Sequence, residues 1–388
     1  MFIAFWVALF VIVYTFVGYG IVLFFLVRIK RFFKKPFKFS NDTEFPTVSI
    51  LIAAFNEEAL ITQKIENTLA LDFPKEKLQV IIITDGSNDQ TAAKVSEFAE
   101  VLLLHRKERA GKMAAIKRAM PFANGEIMLF TDANTFLNAR AIKELVKHYQ
   151  NRKVGAVAGE KRIYVEDFAD ASSAGEGFYW KYESLLKKWD YELYSNVGAA
   201  GELFSIRTGL YEPVESDTII DDHMIAMRIA EKGFIIAYEP EAYAIETASE
   251  NASEELKRKI RIAAGGIQSI TRLKKVANPF YFPVLTFQYI SHRVLRWTIT
   301  PIAMVIVFIL NGIIIVHTDS VLYLALFLGQ MAFYGLSIAG LYFERRNIKV
   351  KALFIPFYFC MMNYAVLAGI VRYVKNSQSA AWEKSKRK

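Results

Sequence analysis

The sequence predicts an α/β sheet domain set between apolar helical ends. Three observations predict it: short β-rich runs alternate with helical ones from about 46 to 250, residues 1–27 carry no charged side chain, and three more apolar stretches lie near the C-terminus.

The N-terminal run comes first. A helix of 27 residues rising about 1.5 Å per residue exceeds a bilayer core of about 30 Å, so it can span a membrane. A secretory signal would place its basic residues ahead of a shorter apolar run. Here Arg28, Lys30, Arg31, Lys34, Lys35 and Lys38 follow it with no acid among them. By the positive-inside rule this flank, within a first unit of residues 1–38, is expected in the cytosol, and the middle of the chain with it.

The middle opens with a β-α-β unit. Val48 to Phe55 reads as a buried strand, Ile61, Ile65 and Leu69 share one helical face, and Leu78 to Thr84 reads as a second strand ending at Asp85-Gly86-Ser87. A third strand, Val101 to Leu104, leads to Gly111-Lys112 and a helix. A fourth, Glu126 to Thr131, stops at Asp132-Ala133-Asn134. Ligands of open α/β sheets sit outside the carboxyl ends of the strands, so Asn56, Asp85, Lys112 and Asp132 are expected to converge on one crevice. The sheet domain is expected to occupy 46–275.

Lys257 to Lys275 reads as a basic helix within that unit. Residues 276–297 follow as an interfacial segment, in which Phe280 to Trp297 is aromatic-rich and carries His292, Arg293 and Arg296. The apolar stretches 298–316, 320–343 and 352–371 make a membrane unit of 298–375, ahead of a basic tail, 376–388. The link at His317 and Asp319 is poor in positive charge. The next link is basic, with Glu344, Arg345, Arg346, Lys349 and Lys351, as alternation across a membrane requires. Four simple spans would nevertheless leave Lys384, Lys386, Arg387 and Lys388 outside. Either the last segment, with Pro356 and Asn363, is re-entrant, or these charges come too late to direct insertion.

Composition narrows the function classes. Cys360 is the only cysteine, which excludes an intrachain disulfide framework and a cysteine metal cluster. The net charge of +9 sits largely beside the apolar stretches, so anionic lipid head groups are the expected partners and nucleic acid is not.

Read singly, the polar motifs are ambiguous. Asp85 suits a hydrogen bond to a nucleobase or an ordinary turn. Asp132 and Asn134 offer hard oxygens suited to Mg²⁺ or Mn²⁺, or Asn134 or Thr135 helps to start the next helix. Asp221-Asp222-His223 opens a helix with Met224, Ile225 and Ile229. Adjacent carboxylates raise one another's pKa and supply a general base, or they merely complement the helix dipole. Arg258, Lys259 and Arg261 suit a diphosphate clamp or a solvated face. His223 has no second histidine at ligand spacing, which favours an ordinary polar role.

Taken in order, these elements resemble the family of inverting glycosyltransferases that is the second in the usual classification. They resemble in particular its membrane-integrated branch, which includes hyaluronan, cellulose and poly-N-acetylglucosamine synthases. Val48-Ser49-Ile50-Leu51-Ile52-Ala53-Ala54-Phe55-Asn56-Glu57-Glu58 is similar to the opening strand, and Asp85-Gly86-Ser87-Asn88-Asp89 to the nucleotide-binding turn. Gly111-Lys112 is similar to the phosphate-side lysine. Asp132-Ala133-Asn134 resembles the metal-binding Asp-x-Asp, with Asn in the last place. Gly198-Ala199-Ala200-Gly201-Glu202 through Arg207 resembles the acceptor-site segment. Ile220-Asp221-Asp222, with Arg228 and Glu239-Pro240-Glu241-Ala242, resembles the Thr-Glu-Asp element and its sequel. Of the Gln-x-x-Arg-Trp motif only Arg261 is matched, since Ile262 replaces the aromatic.

The resemblance implies a GT-A (Rossmann-like) nucleotide-sugar domain between an N-terminal transmembrane helix and C-terminal interfacial and transmembrane helices. It implies transfer from a UDP-sugar with inversion, with Asp222 as general base and Mg²⁺ or Mn²⁺ on Asp132 and Asn134. Donor contacts are implied at Ala54, Asn56, Glu57, Asp85, Lys112, Asp132, Arg258 and Arg261, and an acceptor side at Gly201, Glu202 and Asp221. The implied acceptor is a glycan in exopolysaccharide or cell-envelope synthesis, with an oligomer or export partner for polymer extension. The alternatives are one sugar passed to a polyprenyl phosphate or glycolipid, or a non-catalytic nucleotide-binding regulator. The implied location is the plasma membrane, with the catalytic domain cytosolic.

Overall fold

The computed structural model describes residues 1–35, 37–40, 44–164, 171–247, 251–346, 348 and 350–378. Lys349 and the tail charges Lys384, Lys386, Arg387 and Lys388 lie outside the described residues.

Eight strands form one mixed sheet: β1 (Val48–Ala54), β2 (Leu78–Asp85), β3 (Val101–Arg106), β4 (Ile127–Phe130), β5 (Phe136–Leu137), β6 (Val154–Tyr164), β7 (Phe204–Arg207) and β8 (Ile235–Thr247). Their order is β3-β2-β1-β4-β7-β6-β8-β5. The first four strands are mutually parallel, as the β-α-β reading requires. The parallel half is apolar on both faces. Ile50, Ile52, Ile82 and Leu129 enter one core, while Leu51, Ile81, Ile83, Met128 and Phe130 enter the other. Helices on both faces therefore keep the parallel strands dry.

The remaining strands are less regular. β7 is antiparallel to both β4 and β6, and the Phe130 and Phe204 rings stack at 4.6 Å across the first of these pairs. β6 and β8 are long, run parallel and carry two register shifts. The basic helix begins earlier than its charge pattern implies, at Ala252, and ends at Arg272. Asn251 caps it, its side chain accepting from the Glu254 amide.

The apolar ends are helical. Among the described residues four helices are long and apolar enough to cross a membrane: Ala352–Val374 and, packed together, Phe2–Phe33, Ile299–His317 and Val321–Arg345. They pack at matched depth: Trp6 Nε1 donates to the Tyr323 hydroxyl at 2.9 Å, and the Thr15 and Thr300 hydroxyls meet at 2.9 Å. Below them Lys30 Nζ donates to the carbonyls of Glu192 and Leu193 at 2.7 and 2.8 Å, joining the basic flank to the sheet domain.

The fourth apolar helix, Lys351–Val374, is continuous through Pro356 and so is no re-entrant hairpin. Its Phe357, Tyr358 and Met361 pack with Ala252 and Leu256, and a Cβ at its Gly369 would stand 2.7 Å from Ala263 Cβ. The Tyr373 hydroxyl lies 3.1 Å from Thr271 Oγ1. This helix therefore lies along Ala252–Arg272, held to the sheet domain at both ends.

Candidate active site

The carboxyl ends of the parallel strands set the geometry. At the end of β2, Asp85 Oδ2 accepts from the amides of Ala110 and Gly111 at 2.9 and 2.6 Å, which fixes the loop ahead of the helix Lys112–Ala119. Gly86 permits this: its φ is +76°, and a Cβ there would lie 2.6 Å from Arg109 Cβ. The loop delivers Lys112 Nζ to 2.9 Å from Asp132 Oδ1, at the end of β4, and to 3.4 Å from Asp221 Oδ2.

Asp221 and Asp222 open the helix Asp221–Glu231, as their sequence suggests. Gly201 lies between these groups. A Cβ at Gly201 would be 3.5 Å from Asp222 Oδ2, 3.5 Å from Lys112 Nζ and 3.6 Å from Asp132 Oδ2. Four segments far apart in sequence thus meet around one point with no side chain to obstruct it.

The charges shape one another. Burial works against the Lys112 ammonium, but Asp132, Asp221 and Asp222 outweigh it and raise its pKa above the ordinary value. Burial, and then the neighbouring Asp221, push the Asp222 carboxyl up to about 7 against the pull of Lys112. Burial also raises Asp132, which Lys112 partly offsets. Glu202 goes the other way. Burial opposes its charge, yet Lys161 at 2.5 Å and Arg258 at 3.9 Å hold it well below the usual carboxylate range. Lys161 on β6 also pairs with Glu246 on β8.

A cleft of about 1220 Å³ contains Lys112, Asp132, Asn134, Gly201, Glu202, Asp221, Asp222, Arg258 and Arg261 in its lining. It runs on to Met362, Ala365 and Val366 of the helix Lys351–Val374. Ala54, Asn56, Glu57 and Asp85 do not line it. Asn56 takes φ +55° and accepts from the Asn88 amide at 3.0 Å, and the Glu57 amide donates to Thr91 Oγ1 at 2.8 Å, so this corner braces the turn after β2. Arg258 points at Glu255, 3.0 Å away, and Arg261 donates to the Ile219 carbonyl at 3.5 Å.

Asp132 and Asn134 fit a hard divalent cation. Asp132 Oδ1 is engaged by Lys112, while Oδ2 faces the Gly201 gap, and Asn134 lines the same cleft. Among the described residues no three His, Cys, Asp or Glu side chains gather as a self-sufficient metal cluster. That suits Mg²⁺ or Mn²⁺ held by one or two protein oxygens and completed by a diphosphate. Neither Asn134 nor Thr135 starts a helix, because the next one, Ala141–Val146, follows Arg140 without a side-chain cap. Thr135 Oγ1 instead donates to the Asp132 carbonyl at 3.0 Å.

His223 lines the cleft and is buried: burial, then Arg293, lowers its pKa to about 3, and its ring stacks 6.3 Å from Tyr289. The structure adds residues that motif reading missed. Trp297 lines the cleft near Ile262, lying so close that a Cβ at Gly266 would come within 2.5 Å of its ring. Lys161 and Glu246 carried no local signal. Lys64 did, since it stands three residues after Ile61 on the face that is buried.

A parallel nucleotide-binding half sheet, an antiparallel continuation and a carboxylate-lined cleft where they meet define a GT-A-type glycosyltransferase fold. Residues 49–211 match the model of Glycosyl transferase family 2, and this stretch of the chain is a family 2 domain. A probable glycosyltransferase of Bacillus subtilis, YdaM, is 27% identical over 58% of this chain and 56% of its own length. A beta-monoglucosyldiacylglycerol synthase of Nostoc is 32% identical over 44% of this chain and 37% of its own. The chain therefore spans about half or less of these two relatives. A poly-beta-1,6-N-acetyl-D-glucosamine synthase of Staphylococcus aureus is 26% identical over 70% of this chain and 68% of its own length. Among solved structures, a mannosyltransferase from Pyrobaculum calidifontis in complex with GDP-mannose and Mn²⁺ has the same fold. Its TM-score is 0.71 at 23% identity, covering 96% of this chain and 99% of that one.

Proposed function

We propose that this protein transfers a sugar from a nucleotide-diphosphate donor, with inversion, to a hydroxyl of an acceptor that reaches the cleft from the membrane, in cell-envelope glycan synthesis. The observation that carries the reading is the convergence of Lys112, Asp132 and the Asp221-Asp222 pair on the Gly201 gap, in a cleft continuous with an apolar helix.

In the proposed step the acceptor oxygen bonds to the anomeric carbon as the bond from that carbon to the diphosphate breaks. Asp222 takes the acceptor proton and the nucleoside diphosphate departs. Lys112 holds the diphosphate by charge-assisted hydrogen bonds, and Asp221 keeps Asp222 basic enough to accept a proton. Mg²⁺ or Mn²⁺ on Asp132 and Asn134 would supply Lewis-acid neutralisation of the leaving diphosphate. Arg261 and Arg258 line the same cleft and would turn toward the donor when it binds.

A lipid acceptor such as a glycolipid is the second reading, favoured by Met362, Ala365 and Val366 on the cleft wall. The charge distribution supports a membrane protein with the sheet domain on the cytosolic face. The test is nucleotide release by protein in lipid nanodiscs with Mn²⁺ or Mg²⁺, across UDP-sugars and GDP-sugars, for wild type and Asp222→Asn. Release with one donor that disappears in the variant supports transfer and names the donor; no release with any donor and acceptor sinks the reading. A long or laddered product supports a glycan acceptor, and a single chloroform-soluble sugar-lipid the lipid one.

A further inference from the structure

Lys64 is on the helix Ile61–Leu69 and its side chain is 0% exposed. A buried ammonium persists only where polar groups satisfy it. Among the described residues no carboxylate lies within ion-pair distance of Lys64. Its Nζ donates instead to Thr131 Oγ1 at 3.0 Å and to the Thr135 carbonyl at 2.6 Å. These two residues bracket Asp132-Ala133-Asn134.

The bonds continue on both sides. Thr131 Oγ1 donates to the Glu202 carbonyl at 2.9 Å, next to Gly201, and Thr135 Oγ1 donates to the Asp132 carbonyl at 3.0 Å. One turn further along the helix, the Asn67 side-chain amide donates to the Leu137 carbonyl at 2.9 Å and accepts from the Leu137 amide at 2.8 Å. A single helix face thus grips residues 131–137 from behind, while Lys64 itself does not line the cleft.

We propose that Lys64 is a positioning residue. By holding both ends of the Asp132–Asn134 turn and linking it to Gly201–Glu202, it fixes the oxygens that would hold the metal. This rests on the proposed metal role of Asp132 and Asn134. A plain packing role would show as lost stability; a positioning role shows in metal affinity.

The experiment uses the full-length protein in nanodiscs. Mn²⁺ affinity in the presence of UDP or GDP is read from the loss of the free-ion electron paramagnetic resonance signal, beside melting temperature. Lys64→Met, close in length and uncharged, is expected to weaken Mn²⁺ about 10- to 100-fold. The melting temperature should not fall in proportion, because the cost of burying a polar amine is removed as well. Thr131→Val, a smaller change, should weaken Mn²⁺ in the same direction, and the double variant should be no worse than Lys64→Met alone. Wild-type Mn²⁺ affinity in Lys64→Met, or in Thr131→Val if the first variant does not fold, overturns the inference. Mn²⁺ binding that survives Asp132→Asn overturns the metal-site reading and this inference with it, whereas binding lost in Asp132→Asn but intact in Lys64→Met overturns the inference alone.

Discussion

Burial raises the proton affinity of Asp222 most, its chain neighbour Asp221 adds to that, and Lys112 across the Gly201 gap opposes it. Replacing Asp222 with Asn keeps size and polarity but removes the base. Transfer should fall about 10²- to 10⁴-fold while donor binding is retained; near-normal turnover in Asp222→Asn would take Asp222 out of this role. The pH dependence has a definite sign. A base works only when ionised, and the fold raises this carboxyl from its ordinary 3.8 to about 7, so turnover should climb as pH rises through about 7. A rate profile already flat from pH 5 upward contradicts that. Most of this constellation was legible as motifs. Lys64 was legible only as a lysine spaced three residues after Ile61 on the buried face; its role was not, because only the tertiary fold placed Thr131 and Thr135 over it.

Among the elements, the helix Ala252–Arg272 does the most joining. It carries Arg258 and Arg261 on the cleft and receives the helix Lys351–Val374 along its length. They approach closely at Gly369, where a Cβ would be 2.7 Å from Ala263 Cβ and 2.9 Å from the Ala264 nitrogen. Gly369→Leu must push the helices apart, at about 1–3 kcal/mol of overpacking, and should lower the melting temperature and raise donor KM together. Gly335→Leu, at a position with nothing within 4 Å, is the control expected to change neither. Equal effects from both substitutions would mean that this contact has no special part in holding the cleft.

The whole molecule bears on the topological conflict in the charge pattern. Lys351–Val374 is long and apolar enough to cross a membrane, yet it packs along Ala252–Arg272, and Ser377 and Gln378 line the same cleft as Asp222. The chain after Val374 is therefore expected on the side of the sheet domain. In a Cys360→Ser background, Ser377→Cys should react with a membrane-impermeant maleimide from the same side as a cysteine at Lys38, and from the opposite side to one at Asp319. Labelling of Ser377→Cys from the Asp319 side would restore a fourth crossing.

The sequence by itself determined what repeats or terminates locally. Short continuous apolar runs set β1 to β4, strand ends placed Asp85, Asp132 and the loop before Lys112, and long uncharged runs set the apolar helices. Such signals are local runs bounded by turn residues and need no distant partner. Tertiary structure alone decided the antiparallel insertion of β7, the pairing of β6 with β8, the Lys161 bridge between Glu202 and Glu246, the place of Trp297 and the course of the last helix. Each of these is a contact between segments tens to hundreds of residues apart, whose energy comes from burial and charge pairing that exist only once the chain has closed on itself.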